Sequence, residues 1–242
     1  YIIAGIVTLS ICILSTWVLQ SPMSQILGRV FSKGNITPAI AITFDDGPGK
    51  STDTILNILD RYNARATFFV IGKNAEHNPE MLRKIVKLGH ELGNHTYSHP
   101  LGSVIQTPSK LHQQIEKTDK IIHSATGVYC KLFRPPHGWR SPWMLRQCRN
   151  EGKSVILWSI DSKDWQRKSS AAVIKNVLDF VKPGSVVLFH DRLNTGKDWQ
   201  MDNTIAALPV ILDSLVTRGY RFVTISELQH LQPDENQFTV LD

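Results

Sequence analysis

Hydrophobic residues recur along most of this chain in two alternating patterns. Short apolar runs rich in Ile, Val and Phe are followed by longer segments whose apolar positions recur every three or four residues, which indicates strands alternating with amphipathic helices. The pattern predicts strands at residues 39–44, 66–71, 90–94, 131–134, 154–160, 185–189 and 220–225. It predicts helices at residues 52–62, 79–88, 108–124, 142–150, 171–181 and 204–217.

The regular alternation predicts an α/β fold. Seven strands joined by six helices, which is nearly seven strand–helix units, favour a parallel sheet covered by helices because the central strands are apolar. Short connections leave two architectures open, an open doubly wound sheet and a closed barrel. A barrel places its chemistry at the carboxyl ends of its strands, so the functional side chains are sought there.

The N-terminal segment has a different composition. Residues 2–19 carry no charge, and a run of that length can cross a bilayer as a helix. A cleaved signal peptide is the alternative, although no small-residue cleavage site follows the run. We expect a transmembrane or signal-anchor segment at 1–20, a connector at 21–36, a catalytic domain at 37–232 and a polar tail at 233–242. The domain would lie outside the cytoplasm, anchored to the membrane or secreted if the segment is cleaved.

Composition narrows the class of protein. The 242 residues are 42% hydrophobic and 20% charged, which fits one large globular domain. The formal net charge of +6 indicates tolerance of anionic surroundings such as a membrane face or an acidic polymer. No nucleic-acid-binding motif occurs, so we expect no nucleic-acid partner, and we expect a monomer. Cys130 and Cys148 leave two alternatives open, an extracytoplasmic disulfide and two free thiols.

Two adjacent carboxylates end the first predicted strand. The sequence AIAITFDDGP carries Asp45 and Asp46 at the strand exit, followed by a Gly-Pro turn. An unpaired buried carboxylate is costly, so this pair requires a metal, an arginine or a proton-transfer task.

Histidines follow the third predicted strand. His95 and His99 are four residues apart and can face one point if the segment makes a helical turn. With one carboxylate of the Asp pair, they form a set of two histidines and one acid. That set leaves coordination positions open, as expected of a catalytic rather than a structural metal.

Polar residues also follow the later strands. Arg134 ends the fourth strand and can hold a carboxylate in a fixed orientation. Asp164 and Trp165 follow the fifth strand, and His190 follows the sixth. Such a concentration of polar groups at strand exits indicates one shared site.

These segments resemble, in order along the chain, the five motifs of the polysaccharide deacetylases of the NodB-homology type, carbohydrate esterase family four. The resemblance covers about residues 37–228. It implies a distorted (β/α)7 barrel resembling an incomplete TIM barrel, here preceded by the N-terminal transmembrane or signal-anchor helix. It is carried by TFDDGP at 43–48, HTYSH at 95–99, RPPHG at 134–138, DSKDW at 161–165 and LFH at 188–190.

The resemblance also implies roles for individual residues. Asp45 would be the general base, oriented by Arg134, and His190 the general acid, tuned by Asp164. The implied cofactor is a divalent metal, zinc first, with cobalt, manganese, nickel or iron as alternatives. The implied metal ligands are Asp46, His95 and His99. The implied substrate-binding residues are Trp165, Leu188, His137 and Pro136.

The implied function is hydrolysis of N-acetyl groups on a polysaccharide containing N-acetylglucosamine, such as peptidoglycan or a chitin-like polymer, with release of acetate. Three alternatives stay open: an acetyl xylan esterase, a cyclic amide hydrolase of the same fold, and a non-catalytic carbohydrate-binding relative. His137 is a departure, because many relatives carry tyrosine there. This difference leaves the identity of the polymer open.

Overall fold

The computed structural model describes residues 21–35, 38–101, 106–194 and 200–231. Within those ranges, no helix is both long and apolar enough to cross a bilayer. The membrane segment predicted at 1–20 and the tail predicted at 233–242 lie outside the described residues.

Strands and helices alternate through the described part of the chain. The strands are β1 Ala39–Asp45, β2 Ala66–Val70, β3 Glu91–Asn94, β4 Leu132–Phe133, β5 Ser154–Val155, β6 Ile160–Asp161, β7 Val186–His190 and β8 Arg221–Phe222. The α-helices are α1 Thr52–Arg61, α2 Gly72–His77, α3 Pro79–Lys87, α4 Pro108–Thr126, α5 Pro142–Asn150, α6 Ser170–Leu178, α7 Asp202–Thr217 and α8 Ile225–His230. Two single 3₁₀ turns cover Pro136–Gly138 and Asp164–Gln166.

The strands form one curled parallel sheet, which confirms the predicted α/β class. Their order is β5-β4-β3-β2-β1-β7-β6, and β8 pairs with the start of β1. All paired strands among the described residues run parallel. β5 and β6 are not paired with each other, so the curl is an incomplete barrel that stays open between them. Because the strands are parallel, their carboxyl ends meet at one mouth.

The prediction of one continuous strand at 154–160 is wrong. The segment forms two separate two-residue strands, β5 and β6, and residues 156–159 between them belong to neither strand. The carbonyl oxygens of Ile156 and Leu157 instead accept hydrogen bonds from the Arg134 guanidinium. An apolar run predicts burial but does not reveal that its carbonyls are needed by a buried cation.

The prediction of a strand over 220–225 is also too long. Only Arg221–Phe222 pairs with β1, because Thr224 already caps the following helix. Thr224 and Glu227 form a reciprocal capping box at the start of α8. The pattern analysis missed this helix and the short helix α2, each of which has only six residues.

The strand β1 determines which side chains enter the barrel. Positions 40, 42 and 44 pack outward against the helices, whereas Ala39 and Ala41 belong to the inner apolar cluster. Side chains alternate along a strand, so Thr43 and Asp45 also face the barrel interior. The alternation therefore places Asp45 inside the barrel, at its mouth.

The connector is partly integrated into this fold. The Phe31 N–H donates to the Val155 carbonyl, and the Leu157 N–H donates to the Phe31 carbonyl. The Gly34 N–H donates to the Gly184 carbonyl, just before β7. The connector thus lies along the side where the barrel is open.

Of the two alternatives left for the cysteines, the structure has free thiols at Cys130 and Cys148. Burial raises the pKa of each thiol to about 12, so both stay protonated at neutral pH.

Candidate active site

Asp45 is held by a buried arginine. The Arg134 Nη1 donates to Asp45 Oδ1 at 2.6 Å and to Thr43 Oγ1 at 2.9 Å. Its Nε and Nη2 donate to the carbonyls of residues 156 and 157 at 3.3 and 3.2 Å. Burial raises the pKa of Asp45, and the charge and hydrogen bond of Arg134 oppose that rise. The carboxylate is therefore fixed in orientation and keeps one oxygen, Oδ2, free of Arg134.

The phenyl ring of Phe69 packs against the guanidinium of Arg134. The ring centroid of Phe69 lies 4.0 Å from Arg134 Cζ, a cation–π distance. This ring occupies the space that a side chain at position 93 would need, and Gly93 leaves that space open. The ring and the four acceptors together hold Arg134 in one position.

Asp46, His95 and His99 meet at the mouth beside this pair. The left-handed backbone of Asp46, with φ of 74°, turns its carboxylate away from the outward face that strict alternation would give it. Asp46 Oδ1 lies 3.5 Å from His95 Nε2 and 3.4 Å from His99 Nε2. All three residues are buried, and one ligand atom from each lies within 4.8 Å of the other two.

The chemistry of these three groups fits a metal cation. The Arg134 carbonyl oxygen lies 2.7 Å from His95 Nδ1 and can only accept, so Nδ1 carries the proton and Nε2 presents a lone pair. Burial lowers the pKa of His95 well below its usual range and lowers that of His99 to about 4, so both rings are neutral at pH 7. Burial raises the pKa of Asp46, whose Oδ1 has no hydrogen-bond partner among the described residues. A cation would satisfy all three groups at once.

Neighbouring amides orient the Asp46 ligand. The Asn194 N–H donates to Asp46 Oδ2 at 3.1 Å, and Asn74 Nδ2 donates to the Asp46 carbonyl at 2.7 Å. Sequence reasoning missed both asparagines, because a backbone N–H in a loop and a side chain on a short helix leave no motif.

His190 and Asp164 form the second charged pair of the site. His190 Nδ1 donates to Asp164 Oδ1 at 2.8 Å, and the His190 N–H donates to Asp164 Oδ2, also at 2.8 Å. Burial alone would lower the pKa of His190, but the carboxylates of Asp164, Asp46 and Asp45 together outweigh it and raise that pKa to about 10. The imidazole is thus a cation at neutral pH whose Nε2 proton is available to a substrate.

The helix α7 holds Asp164 in place. Thr204 Oγ1 donates to Asp164 Oδ2 at 2.8 Å, and Asn203 Nδ2 donates to the Asp164 carbonyl at 2.8 Å. These residues lie outside the motifs, and their polar side chains at the start of a helix would be interpreted as ordinary capping groups.

A cleft of about 600 Å³ opens over these groups. Three of the predicted substrate-binding residues, Trp165, Leu188 and His137, line it, whereas Pro136 is buried at the start of the turn that carries His137. Trp165 is 47% exposed, which is enough for a sugar ring to stack on it. Sequence reasoning missed further lining residues: Leu101, Trp139, Trp158, Asp161, Leu193 and Asn194.

His137 connects the metal ligands to the wall of the cleft. Its ring centroid lies 4.7 Å from that of His99 and 5.9 Å from that of Trp139. His137 adopts a φ of 59°, and Gly138 after it leaves room for the ring of Trp158. The turn therefore presents an imidazole and an indole side by side on the cleft wall.

Comparisons with known proteins agree with this arrangement. The sequence model of a family described as polysaccharide deacetylase matches residues 33–177. Peptidoglycan-N-acetylglucosamine deacetylase PgdA of Listeria monocytogenes is 35% identical over 213 residues, which are 87% of this chain and 43% of that protein. Chitooligosaccharide deacetylase of Sinorhizobium fredii is 34% identical over 201 residues, which are 80% of this chain and 93% of that protein.

A solved structure shares the fold. The crystal structure of a peptidoglycan N-acetylglucosamine deacetylase in complex with a hydroxamate superposes with a TM-score of 0.77 at 35% identity, covering 82% of this chain and 91% of that one. This chain spans less than half the length of the Listeria relative.

Proposed function

Because the chain belongs to the polysaccharide deacetylase family, we propose that it is a metal-dependent hydrolase that removes N-acetyl groups from a polysaccharide containing N-acetylglucosamine. The observation that carries the proposal is the convergence of three elements at one mouth: the Asp46, His95 and His99 set, the Asp45–Arg134 pair and the His190–Asp164 pair. A non-catalytic binding module would not require a base fixed by Arg134 and an acid fixed by Asp164 beside a metal site.

The set of Asp46, His95 and His99 would hold the metal, and two imidazoles with one carboxylate suit zinc. When bound, a divalent metal polarises the acetyl carbonyl and lowers the pKa of a water molecule. Side chains of the protein carry out the proton transfers.

Asp45 takes the proton of the attacking water. Its Oδ2 lies 3.7 Å from His95 Nε2 and so faces the metal ligands, while Oδ1 stays bonded to Arg134. Burial raises the pKa of Asp45 toward the range in which a carboxylate is an effective base. Water oxygen bonds to the acetyl carbon, and Asp45 receives the proton.

His190 completes the hydrolysis. Its Nε2–H donates a proton to the amide nitrogen as the carbon–nitrogen bond breaks, so acetate and a free amine are released. Asp164 keeps the imidazole charged until that step. Leu188 lies on the inner face of β7 two residues before His190 and lines the cleft, where it would contact the acetyl methyl.

The substrate we propose is peptidoglycan or a chitin-like polymer. The relatives named above carry these two substrate classes in their names, and the cleft offers an exposed indole for a sugar ring. We also propose a monomer that lies outside the cytoplasm. The uncharged run at 2–19 supports a membrane anchor, or secretion if that run is cleaved.

Acetate release tests the function directly. The full chain is incubated with a chitin hexasaccharide, purified peptidoglycan and acetyl xylan, each with added zinc, with added cobalt and after chelation. We expect metal-dependent acetate from the first or second substrate and none from the Asp45→Asn variant. Acetate from acetyl xylan alone would assign an O-acetyl esterase, and no acetate from any substrate with bound metal would favour a binding module.

A further inference from the structure

A second groove lies between the helices α4 and α5, outside the catalytic cleft. It has a volume of about 510 Å³. We call it the α4–α5 groove. The helix α4 contributes Pro108 and His112 to its lining. The helix α5 contributes Trp143, Arg146 and Gln147, and Glu151 follows directly after α5.

Trp143 is a fixed apolar platform in this groove. The residue is half-buried and packs against the apolar cluster that includes Leu111, Met144 and Leu145. The same side chain lines the groove. An aromatic ring that is already held in place loses little conformational entropy when a ligand stacks on it.

Ordered polar groups surround the platform. Glu151 Oε1 lies 2.8 Å from His112 Nδ1 and accepts a hydrogen bond from Gln147 Nε2 at 3.0 Å. The other amide atom, Gln147 Oε1, is buried and has no hydrogen-bond partner among the described residues. That acceptor is out of reach of a ligand, but the side chains of His112 and Glu151, which are 51% and 23% exposed, present polar atoms to the groove.

The charge of the groove favours an uncharged ligand. Arg146 and Glu151 contribute one charge of each sign, and the other lining residues are neutral or histidine. A nucleic acid or another polyanion would meet no cluster of cations here. A sugar has an apolar face for an indole and a rim of hydroxyl and amide groups for polar side chains, which matches the lining.

The groove lies close along the chain to the wall of the catalytic cleft. Trp139 lines the cleft and Trp143 lines the groove, and only three residues separate them. A connection of four residue steps spans at most about 14 Å. Since α5 follows β4, its first turn lies at the same mouth as the cleft, and Trp143 is close enough to Trp139 for one linear chain to span both.

We propose that the α4–α5 groove binds a second stretch of the same uncharged N-acetylated polysaccharide strand that the catalytic cleft deacetylates. The proposal rests on the proposed function for the identity of the ligand. It predicts that the groove distinguishes long strands from short ones, because a short oligosaccharide fills the cleft alone.

Kinetics with two chain lengths test the proposal. Acetate release is measured on a chitin trisaccharide and on soluble chitin polymer. We expect Trp143→Ala to lower kcat/KM on the polymer about tenfold, which corresponds to about 1.4 kcal/mol, and to leave the trisaccharide unchanged. Phe180→Ala, which removes another aromatic residue that is 66% exposed, should change neither. An equal loss on both substrates, or no loss on the polymer, would overturn the proposal.

A second pair of variants avoids the core. Arg146 and Arg149 are both exposed on α5, but only Arg146 lines the groove. Arg146→Ala should lower kcat/KM on the polymer about threefold, the value of roughly one hydrogen bond, whereas Arg149→Ala should have no effect. Equal effects of the two variants would contradict the groove even if Trp143→Ala fails to fold.

Binding separates this proposal from the function on which it rests. Sedimentation of the full chain with insoluble chitin needs no turnover. If the wild type releases no acetate but binds chitin and loses binding in Arg146→Ala, the function fails and the groove stands. If the wild type releases acetate while Arg146→Ala and Arg149→Ala bind chitin equally, the groove fails and the function stands.

Discussion

The backbone carbonyl of Arg134 lies 2.7 Å from Nδ1 of His95, while the guanidinium of the same arginine lies 2.6 Å from Asp45. One residue thus fixes the proton on a proposed metal ligand through its main chain and fixes the proposed general base through its side chain. The two functions are separable by substitution, because a side-chain change leaves the carbonyl in place.

We expect Arg134→Lys to keep the metal and to lose turnover. Lysine retains a cation but cannot reach Asp45, Thr43 and the two carbonyls together, so Asp45 loses its fixed orientation. The expected loss in kcat is at least about 100-fold, a typical effect of misplacing a catalytic group. Arg65→Lys, in an exposed ion pair with Glu227, is the matched control and should behave like the wild type.

Measurement of kcat together with bound metal decides this prediction. A variant at Arg134 that loses metal in proportion to activity would show that the arginine acts on the ligands rather than on the base.

The same assay should distinguish loss of the base from loss of a metal ligand. Asp45→Asn removes the base but no ligand, so we expect normal zinc content and a loss of kcat of at least about 100-fold. His99→Ala removes one of the three ligands, so we expect weaker zinc affinity and partial recovery at high zinc concentration. Titration with zinc under competition from a chelator gives both affinities. An active Asp45→Asn enzyme would remove Asp45 from the role of base.

The pH profile should report the His190–Asp164 pair. The proposed mechanism requires protonated His190, so activity should fall as pH rises through the pKa of this residue, which the nearby carboxylates, Asp164 first, raise to about 10. Asp164→Asn removes that charge, so the pKa falls and the decline in kcat moves to lower pH. A shift of at least about one pH unit is expected from the loss of one adjacent charge.

Asp161→Asn is the control for the pH profile. This carboxylate also lines the cleft but accepts from the Lys163 N–H and from Trp165 rather than from His190. The Asp161→Asn variant should shift the pH profile of kcat less than Asp164→Asn does. An unchanged basic limb in Asp164→Asn would place the essential acid elsewhere.

Much of this site was predictable because its residues follow strands in recognisable motifs. The alternation along β1 predicts a buried strand that ends in Asp45, and the spacing of His95 and His99 predicts a shared ligand point. The groups that orient these residues were not predictable. The carbonyl of Leu157 and the hydroxyl of Thr204 come from segments whose apolar or capping pattern has an ordinary structural explanation.

The role of Arg140 in the fold was not predictable from the sequence either. Its guanidinium is fully buried, has no carboxylate partner among the described residues, and donates to the carbonyls of Ser21 and Ser24 at 2.7 Å each and of Gly138 at 3.4 Å. The connector is thereby tied to the turn that carries His137.

We expect Arg140→Ala to leave these carbonyls unpaired around a cavity and to lower the free energy of unfolding by about 3 kcal/mol. Thermal and urea unfolding measure that loss, with the exposed Arg149→Ala as the control near zero. At a temperature where Arg140→Ala remains folded, loosening of the turn should raise KM for chitin oligosaccharide more than it lowers kcat. An unfolding free energy equal to that of the control would mean that the connector is held without Arg140.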